Sequence, residues 1–199
     1  MRLAIVKYNA GNIRSVLYAL ERIGKEAIVT DDAAELHRAD KVIFPGVGEA
    51  SSAMKYLREK ELDKILLNLE QPVLGICLGL QLMCRYSEEN DTDCLGIFNE
   101  DVKLFKPTKD AKLKVPQIGW NNIHDLKTKL FENVPENSFC YFVHGYYAGE
   151  GTETIATADY GVSYSAGLSK NNFYGVQFHP EKSAQAGEQI LRNFIEKVN

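Results

Sequence analysis

The segment Pro72-Val73-Leu74-Gly75-Ile76-Cys77-Leu78-Gly79-Leu80-Gln81-Leu82-Met83 sets one cysteine between two glycines. A short apolar run precedes it and an apolar-periodic helix follows at once. Gly-x-Cys-x-Gly on a strand-to-helix turn is the thiol counterpart of a nucleophile elbow. So sharp a turn leaves no room for neighbouring Cβ atoms, hence the flanking glycines. The turn puts Cys77 at a helix N-terminus, whose partial positive charge favours the thiolate. The Leu78 N–H then points where an oxyanion would form. The bland alternative is a buried cysteine between two core glycines; strand, glycines and helix together favour the nucleophile.

A nucleophilic cysteine needs a base, and the base an orienting acceptor. Of the four histidines, His37 lies in a charged helical stretch and His124 ends a strand candidate with no special context. His144 and His179 both end apolar strands. His179-Pro180-Glu181 is the sharper case, because side chains two apart on an extended segment point the same way. Pro180 biases His179 toward that extended form. Glu181 then accepts a hydrogen bond from one imidazole nitrogen while the other takes the Cys77 proton. The plain alternative is a strand-end histidine beside an unrelated surface glutamate. Pro45-Gly46-Val47-Gly48 is a second oxyanion candidate, a glycine-flanked peptide free to flip, although these residues alone read better as an ordinary strand-to-helix turn. It is no phosphate loop, since it lacks the third glycine, the lysine and the Ser/Thr.

These groups need a scaffold. Strands are predicted at 3–7, 26–30, 41–44 and entering the elbow, alternating with helices near 13–23, 33–39, 50–60 and 63–69. That alternation predicts a parallel sheet with ligands at the C-terminal strand edges, where the glycine-rich turns 8–12, 45–48 and 75–79 all fall. After Glu88 the texture changes to short strand candidates at 95–98, 102–105, 117–123, 139–143, 154–158, 163–168 and 173–179, with a hairpin tip at Lys170-Asn171-Asn172. A closing helix is expected near 186–198. The fold class is therefore α/β: a mostly parallel central sheet flanked by helices, with antiparallel strands added in the second half, over one domain, 1–199. At 199 residues, with 45% hydrophobic and 25% charged residues, the chain has the composition of a soluble globular domain. A net charge of −4 without a basic cluster gives no case for nucleic acid. No apolar run approaches the roughly 20 residues that span a bilayer. The first residues read as a strand rather than a signal peptide, and four cysteines without C-x-x-C spacing read as reduced thiols, which points to the cytoplasm.

Taken together, these residues resemble the class I, triad-type glutamine amidotransferases, whose signature is the Gly-x-Cys-x-Gly elbow with a later His-x-Glu. Further stretches carry the likeness to the branch of glutaminase subunits of imidazole glycerol phosphate synthases. They are Tyr8-Asn9-Ala10-Gly11-Asn12-Ile13-Arg14-Ser15-Val16, Pro45-Gly46-Val47-Gly48, Pro116-Gln117-Ile118-Gly119-Trp120-Asn121, Tyr141-Phe142-Val143-His144 and His179-Pro180-Glu181-Lys182-Ser183. The likeness spans essentially the whole chain and implies a flavodoxin-like sheet. One departure is Lys7-Tyr8-Asn9-Ala10, where many relatives have Asp-Tyr-Gly.

The resemblance implies hydrolysis of glutamine to glutamate and ammonia through a γ-glutamyl thioester on Cys77, with His179 as acid and base and Glu181 orienting it. Leu78, Val47 and Gly48 are implied as oxyanion donors. Gln81, Gly48, Tyr141, His144 and Glu89 are implied as substrate contacts, with Glu88 an alternative to Glu89. It implies neither cofactor nor metal. Ammonia passes to a (β/α)8-barrel cyclase in a 1:1 heterodimer that makes imidazole glycerol phosphate and AICAR in histidine biosynthesis, docked through Asn12, Trp120, Asn121 and Lys182. Trp120 suits an interface anchor, with a core aromatic as its alternative. Three rivals stand beside this: a glutaminase of another synthase (pyridoxal phosphate, purine, GMP or anthranilate), a stand-alone γ-glutamyl hydrolase or cysteine peptidase, and a binding module with a decayed site. Pro-Gly-Val-Gly and Gly-Trp-Asn argue against the first, and the intact Cys77–His179–Glu181 set against the last.

Overall fold

Strands β1 (Leu3–Val6), β2 (Ile28–Thr30), β3 (Lys41–Gly46) and β4 (Val73–Cys77) lie parallel, in the order β2-β1-β3-β4. The computed structural model describes residues 1–9, 11–107 and 113–198; Ala10 of the first loop lies outside them. Every residue of β1, β3 and β4 is buried, as expected of a parallel sheet covered on both faces. The covers are helices α1 (Ile13–Arg22), α2 (Ala33–Arg38), α3 (Ala50–Glu59), α4 (Leu62–Leu67), α5 (Leu78–Met83) and, at the end of the chain, α6 (Ala184–Glu196). The period-two alternation of the strands divides the core. Ile5, Ile43, Leu74 and Ile76 pack with α1 and α6. Ala4, Val6, Val42, Phe44 and Val73 face α3, α4 and α5.

The second half adds β5 (Tyr86–Ser87), β6 (Thr92–Asp93), β7 (Asp101–Leu104), β8 (Gln117–Ile123), β9 (Ser138–His144), β10 (Tyr146–Ala148), β11 (Thr154–Asp159), β12 (Ser163–Lys170) and β13 (Phe173–Val176). β13 inserts parallel beside β4, and β12, β10 and β7 continue antiparallel, so the expected change of strand sense occurs. β11 pairs with β12, and β8 with β9 forms a separate antiparallel ribbon. The turn at Asn171 joins β12 to β13 as the hairpin tip.

Two strand expectations fail. Residues 95–98 form no strand. Gly96 has φ 69°, and the segment binds the end of α5 instead: the N–H groups of Leu95, Gly96 and Phe98 donate to the carbonyls of Leu82, Cys84 and Met83. Those helix-end carbonyls would otherwise lack partners. β13 also stops at Val176, three residues before His179. The short strands β5, β6 and β10 carry too few residues to show an alternating pattern.

Candidate active site

Register builds this site. Gly46 of β3 pairs with Cys77, and Val176 of β13 pairs with Ile76, so the 45–48 turn and the His179 segment flank the elbow at one sheet edge. Cys77 has φ 55° and ψ −109°, a strained backbone for a residue with a side chain, and is 5% exposed. The glycine that follows is obligatory: a Cβ added at Gly79 would collide with the Phe44 carbonyl oxygen. The elbow is thus clamped against β3, and the strain is held by packing.

His179 and Glu181 meet as expected, with Nδ1 2.7 Å from Oε1 and both side chains buried. The local route differs from the expectation. His179 is extended, but Pro180–Lys182 forms a one-turn 3₁₀ helix, so the pair faces through a tight turn rather than along an extended strand. The fixed φ of Pro180 suits the first position of that turn. The His179 N–H donates to the Tyr141 carbonyl, and Ser183 Oγ donates to the His179 carbonyl. Burial works to lower the His179 pKa, but its hydrogen bonds and charge interactions with Cys77 and Glu181 outweigh that and push it up to about 10. The sulfur and the carboxylate together favour the protonated imidazole.

Two residues reinforce this set that the sequence reading gave no catalytic part. Gln177 is wholly buried, with Nε2 3.7 Å from Cys77 Sγ and Oε1 accepting from Gln81 Nε2 at 3.0 Å. It shares the His179 face, two residues away, and a glutamine inside an apolar run was the available signal. Asn12, expected at a partner surface, instead donates through Nδ2 to Glu181 Oε1 and lies 3.4 Å from His179 Nδ1. Its φ of 77° and the missing side-chain cap on α1 free that amide for the triad.

A cavity of about 250 Å³ opens at the sulfur, lined among others by Val47, Gly48, Leu78, Gln81, Glu89 and His144. Gln81 Nε2 also donates to the Tyr146 carbonyl. Glu89 reaches the cavity while accepting from the Ala50 N–H at 2.8 Å, and burial raises its pKa. Glu88 is turned away, accepting from the Leu104 N–H at 2.8 Å. His144 donates through Nδ1 to the Tyr146 carbonyl at 2.7 Å, and burial drives its pKa down to about 4. Tyr141, expected as a substrate contact, is not among the residues lining this cavity. It packs edge-on against Trp120 at 5.8 Å, and Lys182 Nζ stands 5.9 Å from its ring centroid. β-pairing opposes Trp120 to Tyr141, which accounts for this.

Trp120 is 54% exposed, so it is no core aromatic; Lys182 is exposed too. Asn121 does not join them. The alternation of β8 turns it the other way, where Nδ2 donates to the Asp159 carbonyl at 2.9 Å. Ile118, Phe139 and Val143 are exposed on the same ribbon as Trp120. Among the described residues no cluster of His, Cys, Asp and Glu is suited to a metal, no helix is long and apolar enough to cross a membrane, and the four cysteines are free.

Comparisons with known proteins show the family. The sequence model of the family described as glutamine amidotransferase class-I matches residues 5–198. The chain is 57% identical over 196 residues to imidazole glycerol phosphate synthase subunit HisH of Bacteroides fragilis, covering 98% of this chain and 100% of that one. It is 42% identical over 199 residues to the subunit of the same name from Haemophilus influenzae, covering 100% and 98%. Among solved structures, PurLQS from Thermotoga maritima superposes with a TM-score of 0.72 at 18% identity, covering 100% and 99%, a likeness of fold.

Proposed function

The chain belongs to the class I glutamine amidotransferases, among the HisH subunits of imidazole glycerol phosphate synthase, and we propose that Cys77, His179 and Glu181 carry its glutamine hydrolysis. The Cys77 sulfur attacks the side-chain carboxamide of glutamine, and the tetrahedral intermediate collapses to a γ-glutamyl thioester as His179 protonates departing ammonia. His179 then takes a proton from water, which attacks the thioester and releases glutamate and the thiol. Glu181 holds the imidazole in one orientation. The N–H groups of Leu78 and of the Val47–Gly48 turn stabilise the oxyanion, each worth about 3–4 kcal/mol of barrier. Gln81, Glu89, His144 and Gly48 receive the substrate. The observation that carries this reading is the strained Cys77 beside a buried His179–Glu181 pair at the mouth of a small cavity.

A synthase subunit has a partner subunit. The partner that fits is a (β/α)8-barrel cyclase in a 1:1 heterodimer, which uses the ammonia to form imidazole glycerol phosphate and AICAR in histidine biosynthesis. Ammonia released into water at neutral pH would be mostly protonated, so a channel between the subunits delivers it unprotonated. The exposed apolar ribbon face of Ile118, Trp120, Phe139 and Val143, with Lys182 beside it, supports docking there. The reading treats the chain as one cytoplasmic domain needing neither metal nor cofactor. The test is ammonia release from glutamine by the purified chain, with and without the cyclase and its nucleotide ligand, with Cys77→Ala as blank. Turnover that appears only with partner and ligand and vanishes in the blank is expected. Turnover indifferent to the cyclase would overturn the partner, and full turnover in Cys77→Ala would overturn the nucleophile.

A further inference from the structure

The Tyr8 hydroxyl lies against the 45–48 turn, is buried, and has no hydrogen-bond partner among the described residues. An unmet buried donor is costly, and here it sits on backbone that has to present an N–H to the reaction. Tyr8 continues the alternation of β1, on the face of Ala4 and Val6, with its ring 5.1 Å from that of Phe44. A Cβ added at Gly46 would collide with the Tyr8 oxygen, so the hydroxyl occupies the space that this glycine leaves open. One loop further on, a Cβ at Gly11 would lie 3.1 Å from Val47 Cγ2, so the same segment borders the next residue of the turn. Burial first, and then the nearby Cys77, raise the Tyr8 pKa well above its ordinary value, which keeps its single proton in place for donation.

Topology supplies the direction. β3 lies between β1 and β4, so the Gly46–Val47 peptide has Cys77 on one side and Tyr8 on the other. The N–H and C=O of one peptide point opposite ways. When the Val47 N–H turns toward the sulfur, the Gly46 carbonyl turns toward the β1 side, the side from which the Tyr8 side chain reaches over Gly46. We infer that Tyr8 is a positioning residue for the oxyanion turn: its hydroxyl donates to the Gly46 carbonyl when the Val47 N–H faces Cys77, and so holds the active conformation of that turn. This rests on the glutaminase reading above and extends it to a residue that touches neither substrate nor triad.

Tyr8→Phe removes the hydroxyl and leaves the ring. In the complex with cyclase and nucleotide ligand, kcat for ammonia release falls about ten-fold, the worth of one hydrogen bond, with KM within about two-fold. The melting temperature of the free chain does not fall, because the resting hydroxyl makes no bond. Unchanged kcat would overturn the inference, and so would kcat and melting temperature falling together. A second measurement is independent of turnover: the crystal structure of the complex treated with glutamate γ-semialdehyde. The Cys77 thiol adds across this aldehyde, sulfur to carbon and proton to oxygen, giving a tetrahedral hemithioacetal. Tyr8 Oη within hydrogen-bond distance of the Gly46 carbonyl is the expected result, and Oη unpartnered or bound only to water would overturn it. Wild-type complex that releases no ammonia would sink the glutaminase reading instead, and the adduct structure would still decide the role of Tyr8.

Discussion

His144 and His179 end adjacent segments and are nearly equally buried, at 5% and 1% exposure, yet their pKa values are driven in opposite directions. The His144 ring meets a carbonyl, the Tyr164 hydroxyl and the rings of Phe105 and Phe142. With no anion among these, desolvation dominates and the pKa drops to about 4. His179 faces a sulfur and a carboxylate, which overcome the same desolvation and raise it to about 10. Burial lowers both, and only the charged neighbours of His179 reverse the sign. One histidine becomes an apolar-lined wall of the cavity, and the other is paired with a carboxylate beside the sulfur.

Removing the carboxylate from His179 is the strongest way to break that contrast. Glu181→Gln keeps the size of the side chain but withdraws its charge, and kcat should fall roughly a thousand- to ten-thousand-fold. The same change alters stability in alkali. A raised imidazole pKa contributes stability that is fully present below about 6.5 and is lost as pH rises toward about 10. Urea midpoints of the wild type should fall across that window, and those of Glu181→Gln should fall less. A kcat loss under about ten-fold would mean that Glu181 is not the orienting group. Next in size is Asn12→Ala, which leaves Glu181 Oε1 with only the imidazole. We expect kcat to fall about ten-fold at unchanged KM, with cyclase affinity unaltered. Weaker cyclase binding at full kcat would return Asn12 to the interface.

How legible this was depended on whether the message was local. The elbow was readable because glycine, cysteine and apolar periodicity all fall within a dozen residues of one another. The parallel half of the sheet was readable for the same reason. His179 and Glu181 were found by their spacing, though the turn that joins them was not, because proline permits both the extended and the 3₁₀ continuation. What escaped depends on register between distant segments. Nothing near Asn12 says that its amide meets Glu181, 169 positions along the chain. Tyr141 was implied as a pocket residue by the resemblance, and nothing local to it says which face of its strand it takes. Once β8 and β9 pair, Tyr141 must lie with Trp120, and Asn121 must turn inward. The two-residue strands β5 and β6 had no pattern to read.

The smallest effect at neutral pH tests the other arm of the comparison. His144→Gln keeps an amide N–H for the Tyr146 carbonyl and removes the titration. In the wild type, as pH falls from the ordinary value of 6.5 toward about 4, the unfolded chain takes up a proton at this position that the folded chain refuses. Stability then drops relative to the variant, by about 2 kcal/mol over that interval, with no change in the gap between them above pH ~7. Urea midpoints of both proteins at a series of pH values measure it directly. A gap that stays constant into acid would mean that His144 accepts its proton in the folded state. The carbonyl and rings around it would then not suffice to keep it neutral, and the contrast with His179 would lie in hydrogen bonding rather than charge.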